Sequence, residues 1–350
     1  MKLLKSPMFY ILGLVVVMIV VGYHLKHKTV EEQEGNIIRE VKKQFPNHPY
    51  DLYGACSVGQ GRYFVVGSNG VILRSKDMGK TWNECSLDQP GKNLISVCFT
   101  SEDTGWVVGT SGLAYETVDA GQNWSRVKLR IGDTCLKRVY FFNDKQGWIV
   151  GEGPVIFCTS DSGKTWQERN IENEMLILND IGFFNANVGI TIGETGAVFY
   201  TEDGGNTWTR QESATDQALM RICIVNENEA WICGLNGVLF RTEDRGKTWK
   251  SVTVTNGETL IQDHIFNCKW IPAVGTGNDL IFLIGDGLIA RSFDLGMSWR
   301  HTQQVTNNES DVSYLWFYDM VFDENSGGII VGKNGFIAFS EDAERWERIH

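Results

Sequence analysis

Residues 159–166 read TSDSGKTW, residues 201–208 read TEDGGNTW and residues 242–249 read TEDRGKTW. Aligned on the octet's Asp, the spelling recurs at Asp77, Asp119, Asp161, Asp203, Asp244, Asp294 and Asp342, in steps of 42, 42, 42, 41, 50 and 48 residues. A sustained period of this length marks a repeat architecture, in which each unit buries its apolar faces only against its neighbours. A Gly stands ten residues before the Asp in six copies, from Gly67 to Gly332, and Gly285 stands nine before in the other.

Each unit parses into four strands. In the second copy they are LISVCFT (94–100), GWVVG (105–109), LAYETVD (113–119) and NWSRVKL (123–129). A Gly-containing turn joins the second and third strands as a hairpin. Those two strands are almost continuously apolar, as expected when both faces of a sheet are covered. Seven such units predict an all-β chain folded as a seven-bladed propeller of four-stranded blades. A solenoid fits less well, because neither end offers a polar cap. All seven units are whole, so the ring is expected to close by packing the first blade on the seventh, with no shared blade.

The octet falls between the third and fourth strands and resembles the Asp box of bacterial neuraminidase-type repeats. The turn explains the spelling. The carboxylate accepts backbone N–H groups of the turn. The Gly two residues on supplies a positive φ, and the Trp at 82, 124, 166, 208, 249, 299 and 346 folds back over the hairpin. Seven copies at seven places cannot be one active site, so the box Asp residues are read as structural. The last copy, SEDAERW (340–346), lacks the Gly and is one residue shorter, which predicts a distorted final turn.

Composition agrees with short strands and aromatic fillers: of 350 residues, 38 are Gly, 12 are Trp and only 6 are Pro. Net charge is −11, and residues 1–28 carry four Lys and no acid, so the remainder sits at −15. So acidic a body argues against nucleic-acid binding. The stretch 6–23, SPMFYILGLVVVMIVVGY, holds no charge. As a helix it would be about 27 Å long, close to the hydrocarbon thickness of a bilayer. Without a small-residue cleavage site it reads as an uncleaved anchor. Residues 1–28 are therefore expected to anchor the chain in the inner (cytoplasmic) membrane, residues 29–49 to form a helical linker, and residues 50–350 to form the propeller on the periplasmic, extracytoplasmic side. In the linker, Thr29 with Glu32 makes a capping box, and Ile37, Ile38, Val41 and Phe45 share one helical face up to Pro46.

Chemistry is sparse. The eight cysteines form no C-x-x-C and His is scarce at six, so neither a metal nor another cofactor is expected. Cys56, Cys98 and Cys223 each stand 21 residues before a box Asp, and Cys268 matches by local pattern. Equivalent repeat positions suggest buried packing, with a disulfide framework as the alternative. Two positions before those cysteines the innermost strand reads Gly54, Ser96, Arg138, Asp180, Arg221, Phe266 and Asp319. Charges there are expected at the central channel, either as an ion-pair network or as a polar funnel for a peptide. Three residues before the box Asp stand Arg74, Glu116, Cys158, Tyr200, Arg241, Arg291 and Phe339. With Trp270 and the insertion that follows it, the arginines suggest a docking face, against a merely solvated surface.

The full unit at Gly105–Trp124, with its GW, VVG, Asp and Trp at fixed spacing, resembles the photosystem II assembly and stability factor family over about residues 50–350. The resemblance implies a seven-bladed propeller outside the cytoplasm that binds a membrane-protein subunit without catalysis. The family's cyanobacterial form is lipid-anchored and its plastid form soluble, whereas this chain has the apolar stretch 6–23. The expected partner is a membrane protein or a subunit of a membrane complex, served transiently or, in the alternative, as a permanent accessory subunit of a transporter or efflux complex. A sialidase-like glycoside hydrolase is the remaining reading. That family needs an Arg-Ile-Pro signature near its start, and here WIP at 270–272 lacks the Arg.

Overall fold

The computed structural model describes residues 50–171, 176–272, 279–302, 305, 315–323 and 327–349. The apolar segment 6–23 and the helix expected over 29–46 lie outside those residues. Among the described residues, no helix is long and apolar enough to cross a membrane.

The strands form seven four-stranded antiparallel sheets, each paired in simple chain order. The innermost strands are Leu52–Ser57, Leu94–Phe99, Leu136–Phe141, Leu178–Phe183, Leu219–Ile224, Ile265–Ile271 and Phe317–Phe322. Each touches the next around a ring, and the seventh touches the first. Closure needs no shared blade. Ala55 N–H donates to Asp319 Oδ2 at 2.9 Å, Asn334 N–H donates to Asp51 Oδ1 at 2.9 Å, and the Tyr63 hydroxyl meets Asp323 Oδ2 at 3.2 Å.

The apolar core lies between blades rather than within one. Every residue of the second strands Tyr63–Gly67, Gly105–Gly109 and Gly147–Gly151 is buried, since neighbouring sheets cover both faces. In the first three blades a second-strand aromatic stacks on an aromatic from the first strand of the following blade. Ring centroids are 4.3 Å apart for Phe64 and Phe99, 4.2 Å for Trp106 and Phe141, and 3.8 Å for Trp148 and Phe183. The outermost strands are short: Asn83–Glu84 and Ser125–Arg126 have two exposed residues each, which leaves little free edge for another chain to pair with. Between blades five and six a small hairpin, Thr255–Asn256 with Thr259–Leu260, adds length on the face opposite the boxes.

The box turns have one construction. In the fourth blade the Thr201 hydroxyl donates to Asp203 Oδ1 at 2.8 Å and accepts the Gly205 N–H at 3.0 Å. Thr207 then gives its N–H to Asp203 Oδ1 at 2.9 Å and its hydroxyl to Oδ2 at 2.7 Å. The residue after the Asp is also left-handed, at φ 60° in Met78 and 66° in Arg245, so the turn carries two consecutive positive φ values rather than the one expected. The final turn differs as its spelling predicts. Asp342 Oδ1 accepts from Glu344 N–H at 2.8 Å and Arg345 N–H at 2.9 Å, two and three residues on instead of four.

Every innermost strand carries a bulge that the repeat count does not disclose. Leu52 pairs with Gly67 but Gly54 pairs with Val66, which leaves Tyr53 over, and the same slip recurs between Ile265 and Asn267. This corrects one register position. The blade-six equivalent of Asp180 and Asp319 is Asn267, paired with Ile284, and Phe266 is the bulged residue. HIFNC (264–268) matches LISVC (94–98) by its Cys, but Ile265 pairs with Gly285 as Leu94 pairs with Gly109, so the match lands one place early.

Candidate partner-binding site

The polar register of the innermost strands joins successive blades. Ser96, Asp180 and Asp319 at this position each accept the backbone N–H that follows the same position in the next blade. Ser96 Oγ takes Val139 N–H at 3.3 Å, Asp180 Oδ2 takes Ile222 N–H at 2.8 Å, and Asp319 Oδ2 takes Ala55 N–H at 2.9 Å. The arginines compensate the buried carboxylates. Arg138 Nε lies 3.1 Å from Asp180 Oδ1, and Arg221 Nη2 reaches past blade six to Asp319 Oδ1 at 3.4 Å. Asn267 also donates to Asp319 Oδ1. Burial works against the Arg138 charge, but Asp180 and Asp319 outweigh it and raise its pKa. Asp180 and Asp319 are each 2% exposed. This is an ion-pair network inside the ring, as one of the two readings expected.

Two residues further along, Cys56, Cys98 and Cys223 point at the next blade's amides. Trp270 N–H lies 2.9 Å from Cys223 Sγ. Burial pushes the Cys56 thiol up to about 12, while the Phe99 amide, Arg138 and Lys269 pull against the rise. The blade-six equivalent here is Lys269, paired with Phe282 as Cys98 pairs with Trp106, so Cys268 sits one place early in the register. All eight cysteines are free thiols. Among the described residues, no group of three or more His, Cys, Asp and Glu is placed to hold a metal.

The outer arginines lie on the Asp-box face and clasp neighbouring structure. Arg74 Nη1 donates to Ala120 O, and Arg291 Nη1 to Ala343 O, both at 2.9 Å and both into the box turn of the next blade. Arg241 stays within its own blade, 2.7 Å from Glu229 Oε1 and 3.1 Å from Glu243 Oε1, with its guanidinium over the Trp231 ring. Trp270 packs against the core between blades five and six.

On the opposite face the bulged residues are Tyr53, Ile95, Lys137, Asn179, Met220, Phe266 and Tyr318, all half-buried around the mouth of the channel. A bulge re-aims a side chain out of the ladder. On blades six, seven and one the re-aimed residues are aromatic. Tyr53 and Tyr318 have ring centroids 5.4 Å apart, and Phe266 lies 5.9 Å from both Tyr318 and Trp316.

The model of the family described as photosynthesis system II assembly factor YCF48 matches residues 30–132, 89–176 and 170–258, which together run over residues 30–258. The chain belongs to this family. Two solved YCF48 structures are similar to it. One, described as YCF48 bound to D1 peptide, has 19% identity and a TM-score of 0.60, covering 84% of this chain and 92% of that one. The other, YCF48 from Cyanidioschyzon merolae, has 18% identity and a TM-score of 0.61, covering 84% and 95%. Virginiamycin B lyase from Staphylococcus aureus has a TM-score of 0.69 at 12% identity, covering 85% and 96%. At these identities the structural likeness establishes the propeller fold alone. A comparison with curated proteins gives no match.

Within this YCF48-family propeller the expected site residues do not meet in one place. Arg138, Asp180, Arg221 and Asp319 gather in the channel, Arg74, Arg241 and Arg291 belong to the outer part of the box face, and Trp270 stands on the innermost strand of blade six. The aromatic mouth was missed, although its signal was present. The residue before each polar register position is aromatic in the first, sixth and seventh repeats, once the bulge is counted.

Proposed function

We propose that this chain is a non-catalytic, membrane-tethered scaffold that binds a segment of a membrane-protein subunit and helps build or stabilise a membrane complex. Family membership carries the reading, supported by a solved YCF48 described as bound to a D1 peptide. Residues 6–23 would tether it to the inner membrane, with the propeller on the periplasmic side.

On the box face, Arg74, Arg241 and Arg291 retain guanidinium donors beyond those spent on neighbouring residues of the propeller, since each Arg has five. Arg241, whose side chain is one-fifth exposed, offers such donors to a carboxylate of the client. The test is co-purification with the full-length protein followed by mass spectrometry. A membrane-protein subunit should be recovered, and less of it with Arg241→Gln and Arg291→Gln together. Neutral Gln is the informative change, because Glu at 241 would face Glu229 and Glu243. Unchanged recovery removes that face from the reading, and turnover of a sugar substrate by the purified protein removes the non-catalytic role.

A further inference from the structure

Tyr53, Phe266, Trp316 and Tyr318 form one aromatic platform at the channel mouth opposite the Asp boxes. Beyond the centroid spacings above, Trp316 and Tyr318 meet edge-on at 6.3 Å and 89°. Trp316 is 38% exposed, an unusual setting for so large an apolar ring in a chain whose other tryptophans are buried or partly buried against the core.

The charges beside the platform are mostly acidic. Asp51 and Asp286 both raise the pKa of the Tyr318 phenol, after burial, so both carboxylates act on that ring. Asp51 is engaged, accepting from the Tyr53 hydroxyl at 3.4 Å and from Asn334 N–H at 2.9 Å. Asp286 is tied to Trp316 only through the backbone, as an isolated antiparallel bridge. Its carboxylate has no hydrogen bond or ion pair among the described residues. A cation already uses this surface: Lys333 Nζ stands 4.7 Å from the centre of the Trp316 ring, within cation–π range.

Aromatic faces present negative quadrupole to a ligand, and a carboxylate beside them adds net charge of the same sign. We infer that the platform formed by Tyr53, Phe266, Trp316 and Tyr318, with Asp286 at its edge, is a second contact site that takes an arginine or lysine side chain from an extended segment of the client. This rests on the client-binding reading and places a contact on the face opposite Arg241 and Arg291. A client would stack the cation on Trp316 or Tyr318 and set its charge against Asp286.

The probe is an acetylated, amidated octapeptide of alternating glycine and arginine, titrated calorimetrically into the full-length protein and compared with its glycine–glutamate twin. The arginine peptide should bind, and Trp316→Ala and Asp286→Asn should each weaken it about three- to tenfold, the range for one cation–π or exposed charge contact. Asp286→Asn keeps the backbone bridge and serves if Trp316→Ala fails to fold. Arg241→Gln with Arg291→Gln should leave peptide binding unchanged. Equal affinity in wild type and both platform variants overturns the site, because attraction to the acidic body as a whole would then account for the binding. Equal or tighter binding of the glutamate peptide overturns it too. Failure of the client-binding reading is separable, since co-purification would be lost while platform-dependent peptide binding persisted.

Discussion

Ile222 of blade five gives its backbone N–H to Asp180 Oδ2 of blade four at 2.8 Å, while Asp180 Oδ1 faces Arg138 of blade three at 3.1 Å. One buried carboxylate therefore ties three consecutive blades. Removing it would leave a buried guanidinium uncompensated and an amide unpaired. Asp180→Ala should cost about 3–5 kcal/mol, as for breaking one side of a buried ion pair. Urea unfolding followed by tryptophan fluorescence measures it. A loss no larger than that of a surface substitution would show that the network is solvated rather than structural.

The box Asp should matter less singly. Asp203 is exposed and holds one turn through Thr201 and Thr207. Asp203→Ala is expected to cost about 1 kcal/mol, lowering Tm while client recovery from the folded fraction stays unchanged. A fully folded variant that no longer recovers the client would give the box a binding role.

Acid should act on all the boxes together. In Asp161 the hydroxyl and N–H of Thr165, helped by Thr159, lower the carboxyl from 3.8 to about 2. Asp77, Asp119, Asp203, Asp244, Asp294 and Asp342 are shifted downward too. A folded-state pKa below the unfolded value means the stabilisation is complete above about pH 4 and is lost as the pH falls through about 2. Tm should thus be nearly flat above pH 5 and fall steeply between about pH 4 and pH 2. Differential scanning calorimetry across that range is decisive, and a Tm independent of pH there would count against ionised box carboxylates.

Two glycines separate backbone strain from close approach. Gly163, at φ 77°, would place a Cβ 2.8 Å from the Trp106 ring of the preceding blade, whereas Gly153, at φ 74°, has nothing within 4 Å. Gly153→Ala should cost about 1 kcal/mol for the left-handed conformation alone. Gly163→Ala adds overpacking against an indole, for about 2–4 kcal/mol in total. Equal unfolding midpoints for the two variants would show that the blade boundary yields.

The thiols supply a further check. Burial holds the Cys56 thiol near 12 and the Cys85 thiol near 11, so little thiolate is present at neutral pH. Alkylation of native protein at pH 7.5 should be slow. After unfolding without reductant, all eight cysteines should be labelled in the intact mass. Two or more native bridges would reverse the packing account of the cysteine register.

Some of this was legible in the strand and turn spelling. Asp, Gly and Trp recur at one spacing because a single hairpin turn imposes each of them locally. The seven blades, the shortened last turn and the whole-blade closure followed from that. Phe266 and Cys268 were misplaced because HIFNC matches LISVC by its Cys, whereas strand pairing, which sets the register, places Ile265 and not His264 at the position of Leu94. The box glycines were read for their φ, yet Gly163 also lies under Trp106, a residue of another repeat that no count within one unit can supply.

The sequence by itself thus determined what depends on neighbours along the chain: strand alternation, turn chemistry, repeat number and the family. The tertiary structure alone decided which charges meet and which rings cluster. Arg221 pairs with Asp319 past an intervening blade, and Tyr53 comes beside Tyr318, because the ring brings its first and last blades together. Periodicity sets where a side chain stands within its own blade. Closure of the ring sets what it faces, and the energies of buried charges and stacked rings depend on what they face.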